Sequence, residues 1–207
     1  MIHLTALSLF SQDNCVINTS DEVAKKIVSS DNYKDINQMQ NEIYDKIDNL
    51  IANKNFTADN LKEVFLNAEK TNNYVEVNSL VFGNQENANE FFSKYQKAKA
   101  EFIASNQQIG DNCTNTSTSN SQIISAYFDN YNNSYAQVKK MLGSGEDTDA
   151  TGCSRLKLSI CGAACGLSTA GWGAVWCLWG CACVFCDRDF HDICGPIKEQ
   201  INSERTK

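Results

Sequence analysis

Eight cysteines fall between Cys153 and Cys194, in the order Cys153, Cys161, Cys165, Cys177, Cys181, Cys183, Cys186 and Cys194. Thiols at that density oxidise in pairs, bind zinc or run thiol–disulfide exchange, and cytosolic domains rarely carry them without metal. Zinc would draw on Cys183 and Cys186, two residues apart between them, with Cys181, His191 and Cys194 nearby. A second well-separated Cys-x2-Cys pair is missing and the block is too apolar for a zinc knuckle. A redox reading needs a βαβ setting that this chain lacks. His191, between Asp189 and Asp192, reads as a helix end or solvated turn rather than half of a Cys/His pair. No phosphate loop, paired-carboxylate motif or Ser/His/Asp spacing rises above chance. The expectation is disulfides, with no metal, no cofactor, no small-molecule substrate and no enzymatic activity.

Cys161/Cys165 and Cys177/Cys181 are both i,i+4 pairs, which lie one turn apart on one helix face. Two such helices, joined by the Gly-rich stretch 166–173, would fold as a hairpin. Antiparallel packing would set Cys161 opposite Cys181 and Cys165 opposite Cys177. Eight cysteines allow on the order of a hundred pairings, so the spacing alone does not choose one. Cys153, Cys183, Cys186 and Cys194 would tie the flanks back. The run Leu158 to Cys186 carries no charge over 29 residues and holds Trp172, Trp176, Trp179 and Phe185. By length it qualifies as a membrane span, but its glycines and cysteines fit a compact stapled unit better. Such a unit would expose Trp172, Trp176, Trp179 and Phe185 as a surface for a membrane or a protein partner.

The elements that must carry this block are helical. Ile36, Met39, Ile43, Tyr44, Ile47, Leu50 and Ile51 recur at helical spacing across 35–52. Thr57 reads as the N-cap of a second helix with Leu61, Val64, Phe65 and Ala68 on one face. Tyr74 to Phe82 reads as an ordered apolar loop. A third strong helix covers 87–104, with the stripe Ala88, Phe91, Phe92, Tyr95, Ala98, Phe102 and Ile103. A fourth covers 122–142 with Ile124, Tyr127, Phe128, Tyr131, Tyr135, Val138 and Met141, and a weaker one covers 21–28. The aromatic stripes read as core, and the abundant Asn, Lys and Asp as solvent-facing. The fold class expected is mainly α: a bundle of four to five helices over 13–142, then a small disulfide-stapled helical hairpin module over 153–207.

The acidic segment 143–152 reads as a flexible linker and an accessible site for a processing protease. The 207-residue chain has a net charge of -7, made of -8 over residues 1–152 and +1 over 153–207. That balance disfavours nucleic acid as the main partner. Cys15 and Cys113 lie outside the block, either as free thiols or as a pair whose long loop would stabilise by roughly 2–4 kcal/mol. The apolar run Leu4 to Phe10 is similar to the tail of a secretory signal, so residues 1–12 read as a signal-peptide remnant and the protein as secreted or held in the cell envelope.

Asp149-Ala-Thr-Gly-Cys-Ser154 opens the Cys-rich, charge-poor segment after the acidic linker. With Cys161 to Cys165 and the Gly/Ala-rich stretch Ala163 to Cys177, it resembles Cys-rich bacteriocin precursors of the halocin type. The helical N-terminal part with a Cys-dense tail is also similar to fulvocin-related bacteriocins. The resemblance covers residues 149–194, about a fifth of the chain. It implies a secreted antibacterial precursor whose N-terminal region keeps the effector soluble, inactive or tolerated, and whose target is a competitor's membrane. Two alternatives stand beside it: an exported non-enzymatic interaction or structural protein with a stapled docking module, and a helical domain anchored by a membrane-inserted 158–186.

Overall fold

In the computed structural model the described residues are 26, 27, 29–53, 56–106, 119–132, 135 and 171–185, with 182–185 described by backbone alone. They are helical, and no strand occurs among them. The helices are α1 (Asp31–Ala52), α2 (Ala58–Thr71), α3 (Val75–Phe82), α4 (Gln85–Ser105), α5 (Asn120–Asp129) and α6 (Trp172–Phe185).

Four of the starts are set by local side chains. The Ser30 hydroxyl accepts from the Tyr33 amide and Asn84 Oδ1 from the Asn87 amide, each satisfying a first-turn N–H. Thr57 with Asn60, and Ser119 with Gln122, close reciprocal capping boxes. Left-handed backbone ends α2 at Asn72 (φ 49°), and Gly83 (φ 84°) separates α3 from α4 in a conformation that a Cβ would strain.

The expected stripes face one another. Ile43, Tyr44 and Ile47 of α1, Leu61, Phe65 and Ala68 of α2, and Ala88, Phe91, Tyr95 and Phe102 of α4 are buried. Ile123, Ile124, Tyr127 and Phe128 of α5 join them in one core. α2 packs on α5, α1 on α4, and α3 bridges α1, α2 and α4. The Lys62 ammonium reaches the Asp129 carboxylate at 2.6 Å, linking α2 to α5 at the surface.

Two corrections concern the elements. The stretch expected as an apolar loop forms α3, because Val77, Asn78, Val81 and Phe82 share one face that the core buries. Burial of that face outweighs the weak helix preference of its Val residues. Second, the Gly-rich stretch expected as a turn through residue 173 ends earlier. Gly171 holds φ 57° and the helix begins at Trp172.

Several expectations lie outside the described residues: the signal remnant 1–12, the linker 143–152, and all of helix 21–28 but residues 26 and 27. So do the stretch 136–142 of the fourth expected helix and the first helix of the hairpin. Cys15, Cys113, Cys153, Cys161, Cys165, Cys186 and Cys194 lie there too, as does His191, and only the backbone of Cys183 and Phe185 is described.

Candidate functional site

Helix α6 carries no charge and is apolar on every side, the pattern of a helix enclosed by protein. It lies in the common core: Trp172 is 2% exposed, Trp176 0% and Trp179 1%, with Ala174, Val175, Leu178 and Cys181 also buried. The sequence had placed these tryptophans on an exposed wall of a separate module; the structure buries all three against the bundle. The reason is that an exposed Trp leaves on the order of 150–250 Å² in water, and the aromatic stripes of α2 and α5 offer that area a partner.

The seat is built from rings. Phe65 of α2 meets Trp172 and Trp176 edge-on, at centroid distances of 4.9 and 5.1 Å. Phe92 of α4 meets Trp172 at 5.7 Å. Tyr127 of α5 stands edge-on between Trp176 and Trp179, at 5.8 and 5.7 Å. A polar contact orients the helix: the Trp172 indole N–H donates to Asn78 Oδ1 at 2.7 Å, and Asn78 in turn donates to Gln85 at 2.9 Å. The Trp176 indole N–H and the Tyr127 hydroxyl are buried without a hydrogen-bond partner among the described residues. Each such group costs about 1–3 kcal/mol, so the seat is strong in area and weak in polar satisfaction.

Cys177 and Cys181, one turn apart on α6, are each disulfide-bonded. No group of three or more His, Cys, Asp or Glu that could hold a metal occurs among the described residues. No helix among them is long and apolar enough to cross a membrane. The 14 residues of α6 span about 21 Å, short of the roughly 30 Å of a hydrocarbon core.

A second buried feature lies between α1 and α4. The Tyr95 hydroxyl donates to Gln40 Oε1, and Gln40 Nε2 donates to the Tyr44 hydroxyl at 3.0 Å. Lys99 is fully buried. Its ammonium lies 3.8 Å from the Tyr95 ring centroid and has no hydrogen-bond acceptor among the described residues. Burial pulls the Lys99 amine down to about 7. Burial also pushes the hydroxyls of Tyr44, Tyr95 and Tyr127 above the ordinary tyrosine range, so all three stay neutral. At the edge of the bundle the hydroxyls of Tyr131 and Tyr135 donate to Asp48 and Asp45 of α1. Burial, then the Asp48 carboxylate, raises the Tyr131 hydroxyl as well.

Sequence reasoning assigned Lys and Asn to solvent, and so missed Lys99, Asn78 and the buried Gln40. The phase of the stripes held the signal. Position 99 is four after Tyr95 and three before Phe102, and position 40 is three before Ile43 and four before Tyr44.

No protein-family model matches the chain, and no curated protein or solved structure matches it. The likeness to bacteriocin precursors therefore stands on the residues of 149–194 alone.

Proposed function

We propose that the protein is a secreted, bacteriocin-like precursor in which α6 belongs to a disulfide-stapled effector module around 153–194, and in which the helical bundle keeps that module latent. The observation that carries this reading is the burial of Trp172, Trp176 and Trp179, all on one uncharged helix, in the aromatic core of a bundle whose segment of the chain bears the acidic excess. In water an all-apolar helix with three tryptophans would aggregate or partition into the nearest bilayer interface. Seated in the bundle it does neither. Cutting within 143–152 would remove the covalent link to the bundle. A target membrane would then compete with the Phe65 and Tyr127 seat for the same tryptophan faces, the module staying folded through its disulfides. The partners are a processing protease and a target-cell membrane or surface protein.

The second reading is an exported, non-enzymatic interaction or structural protein in which α6 is permanent core. The Trp172–Asn78 hydrogen bond favours it, because a buried directional bond specifies one docked position. One experiment separates the two. The full oxidised chain is given a specific protease site within 143–152 and added to dye-filled vesicles before and after cutting. The precursor reading expects leakage only after cutting. Tight, inert association of the two pieces, with disulfides confirmed by mass, overturns it and leaves the second reading.

A further inference from the structure

We propose that Lys99 is a proton-operated latch on the seat of α6, and that charging its amine loosens the Trp-bearing helix from the bundle. A continuous line of contacts joins the two. Lys99 lies over the Tyr95 ring, Tyr95 donates to Gln40, and Gln40 donates to Tyr44. The Tyr44 ring packs on Tyr127 at 5.8 Å, and Tyr127 stands against Trp176 and Trp179. Every member of that line is buried.

The amine has no acidic partner among the described residues. The buried face of α1 brings Tyr33 and Tyr44 as its only titratable groups, and the buried face of α3 (Val77, Asn78, Val81 and Phe82) brings none. On α4 itself the neighbouring titratable group is Tyr95. Burial is the sole cause of the lowered amine, in keeping with an absence of charged neighbours. A charged Lys99 is therefore stabilised by one ring face alone, and it regains solvation when the packing of α1, α4 and α5 opens. At the seat of α6 the Trp176 N–H and the Tyr127 hydroxyl have no partner among the described residues, so opening there frees both to water.

The sign is fixed by linkage. In an opened state the amine titrates near 10.5, whereas in the closed state it titrates near 7. Lowering the pH from 8 to 6 charges the closed state's amine at a free-energy cost and favours the opened state about tenfold, with the effect levelling off below 6.

The proposal rests on the latent-helix reading for its purpose, yet its test needs no membrane, so the two fail separately. All three tryptophans of the chain lie on α6, so fluorescence excited selectively at tryptophan reports that helix. Emission and acrylamide quenching of the full oxidised chain are followed from pH 9 to pH 5, with far-UV circular dichroism in parallel. The wild type is expected to gain Trp accessibility with a midpoint near 7 while most helicity remains, and Lys99→Met is expected to stay docked throughout. A flat wild-type profile overturns the proposal. So does a Lys99→Met profile that matches wild type, which would assign the transition to another group. If Lys99→Met does not fold, Lys99→Arg decides: its fixed charge should leave α6 accessible already at pH 8, and a docked α6 there overturns the latch.

Discussion

The seat of α6 and the seam between α1 and α4 are both buried, and they are held in opposite ways. Around α6 the contacts are rings: Phe65, Phe92, Tyr127 and Phe128 against three tryptophans, with an oriented hydrogen bond from Trp172 to Asn78. Between α1 and α4 the contacts run through Gln40, Tyr44 and Tyr95, and end on an ammonium with no acceptor among the described residues. The first region gains stability from area, and the titratable group it contributes among the described residues, Tyr127, is held above the ordinary tyrosine range by burial. The second is satisfied along most of its length, but carries one group whose protonation the fold opposes. Stability and pH sensitivity near neutrality are thus placed in different parts of one core, joined by the Tyr44–Tyr127 ring contact.

That contrast can be broken from the aromatic side. Trp176→Ala removes a fully buried indole from the centre of the seat, and should cost roughly 3–5 kcal/mol in chemical denaturation. A cost under 1 kcal/mol would mean that α6 contributes little to the core. The polar side gives an effect of opposite sign. Lys99→Met should stabilise the protein near pH 7 by roughly 2–4 kcal/mol, because the unfolded amine is protonated up to 10.5 while the buried one gives up its proton near 7. The gain should shrink as pH rises toward 10.5, where both states of the wild type are largely neutral.

The same linkage shapes the wild-type curve. Stability should rise from pH 7 toward 10, then fall beyond the ordinary tyrosine value of 10.0 as Tyr44, Tyr95 and Tyr127 ionise in the unfolded chain but not in the folded one. Thermal unfolding across pH 6 to 11 checks both limbs.

Smaller effects sharpen the picture. Trp172→Phe keeps a ring in the seat but strands the Asn78 oxygen, and should cost about 1–3 kcal/mol. Thr57→Ala removes an exposed capping box at the start of α2 that holds no titratable group. It should cost about 1 kcal/mol without changing the slope of stability with pH, which makes it the control against which the Lys99 slope is judged.

The helices α1, α2, α4 and α5 were legible because each repeats apolar residues at the helical period, whereas the caps Ser30, Asn84 and Ser119 came only with the structure. Thr57 was readable as a cap, and Asn60 beside it completes the box that the structure forms. The tryptophans were legible as chemistry but not as position. An uncharged stretch containing Trp172, Trp176 and Trp179 fits an exposed wall, a membrane span or a buried helix equally well, since an all-round apolar surface has no phase from which to read a direction. Lys99 was misread for the converse reason: its side-chain type pointed to solvent while its phase pointed to the core.

By itself, the sequence determined that this chain is helical, where its main bundle helices lie, which faces they bury, and that six of its ten cysteines lie in one charge-free run. Those properties follow from local periodicity, capping and composition. Only the tertiary structure decided that the Trp helix sits inside the bundle and that Lys99 is buried beside Tyr95. Both depend on which faces meet across long sequence separations. Contacts such as Tyr127 with Trp176 and Phe65 with Trp172 arise from the shape of the assembled core, which no single helix carries in its own residues.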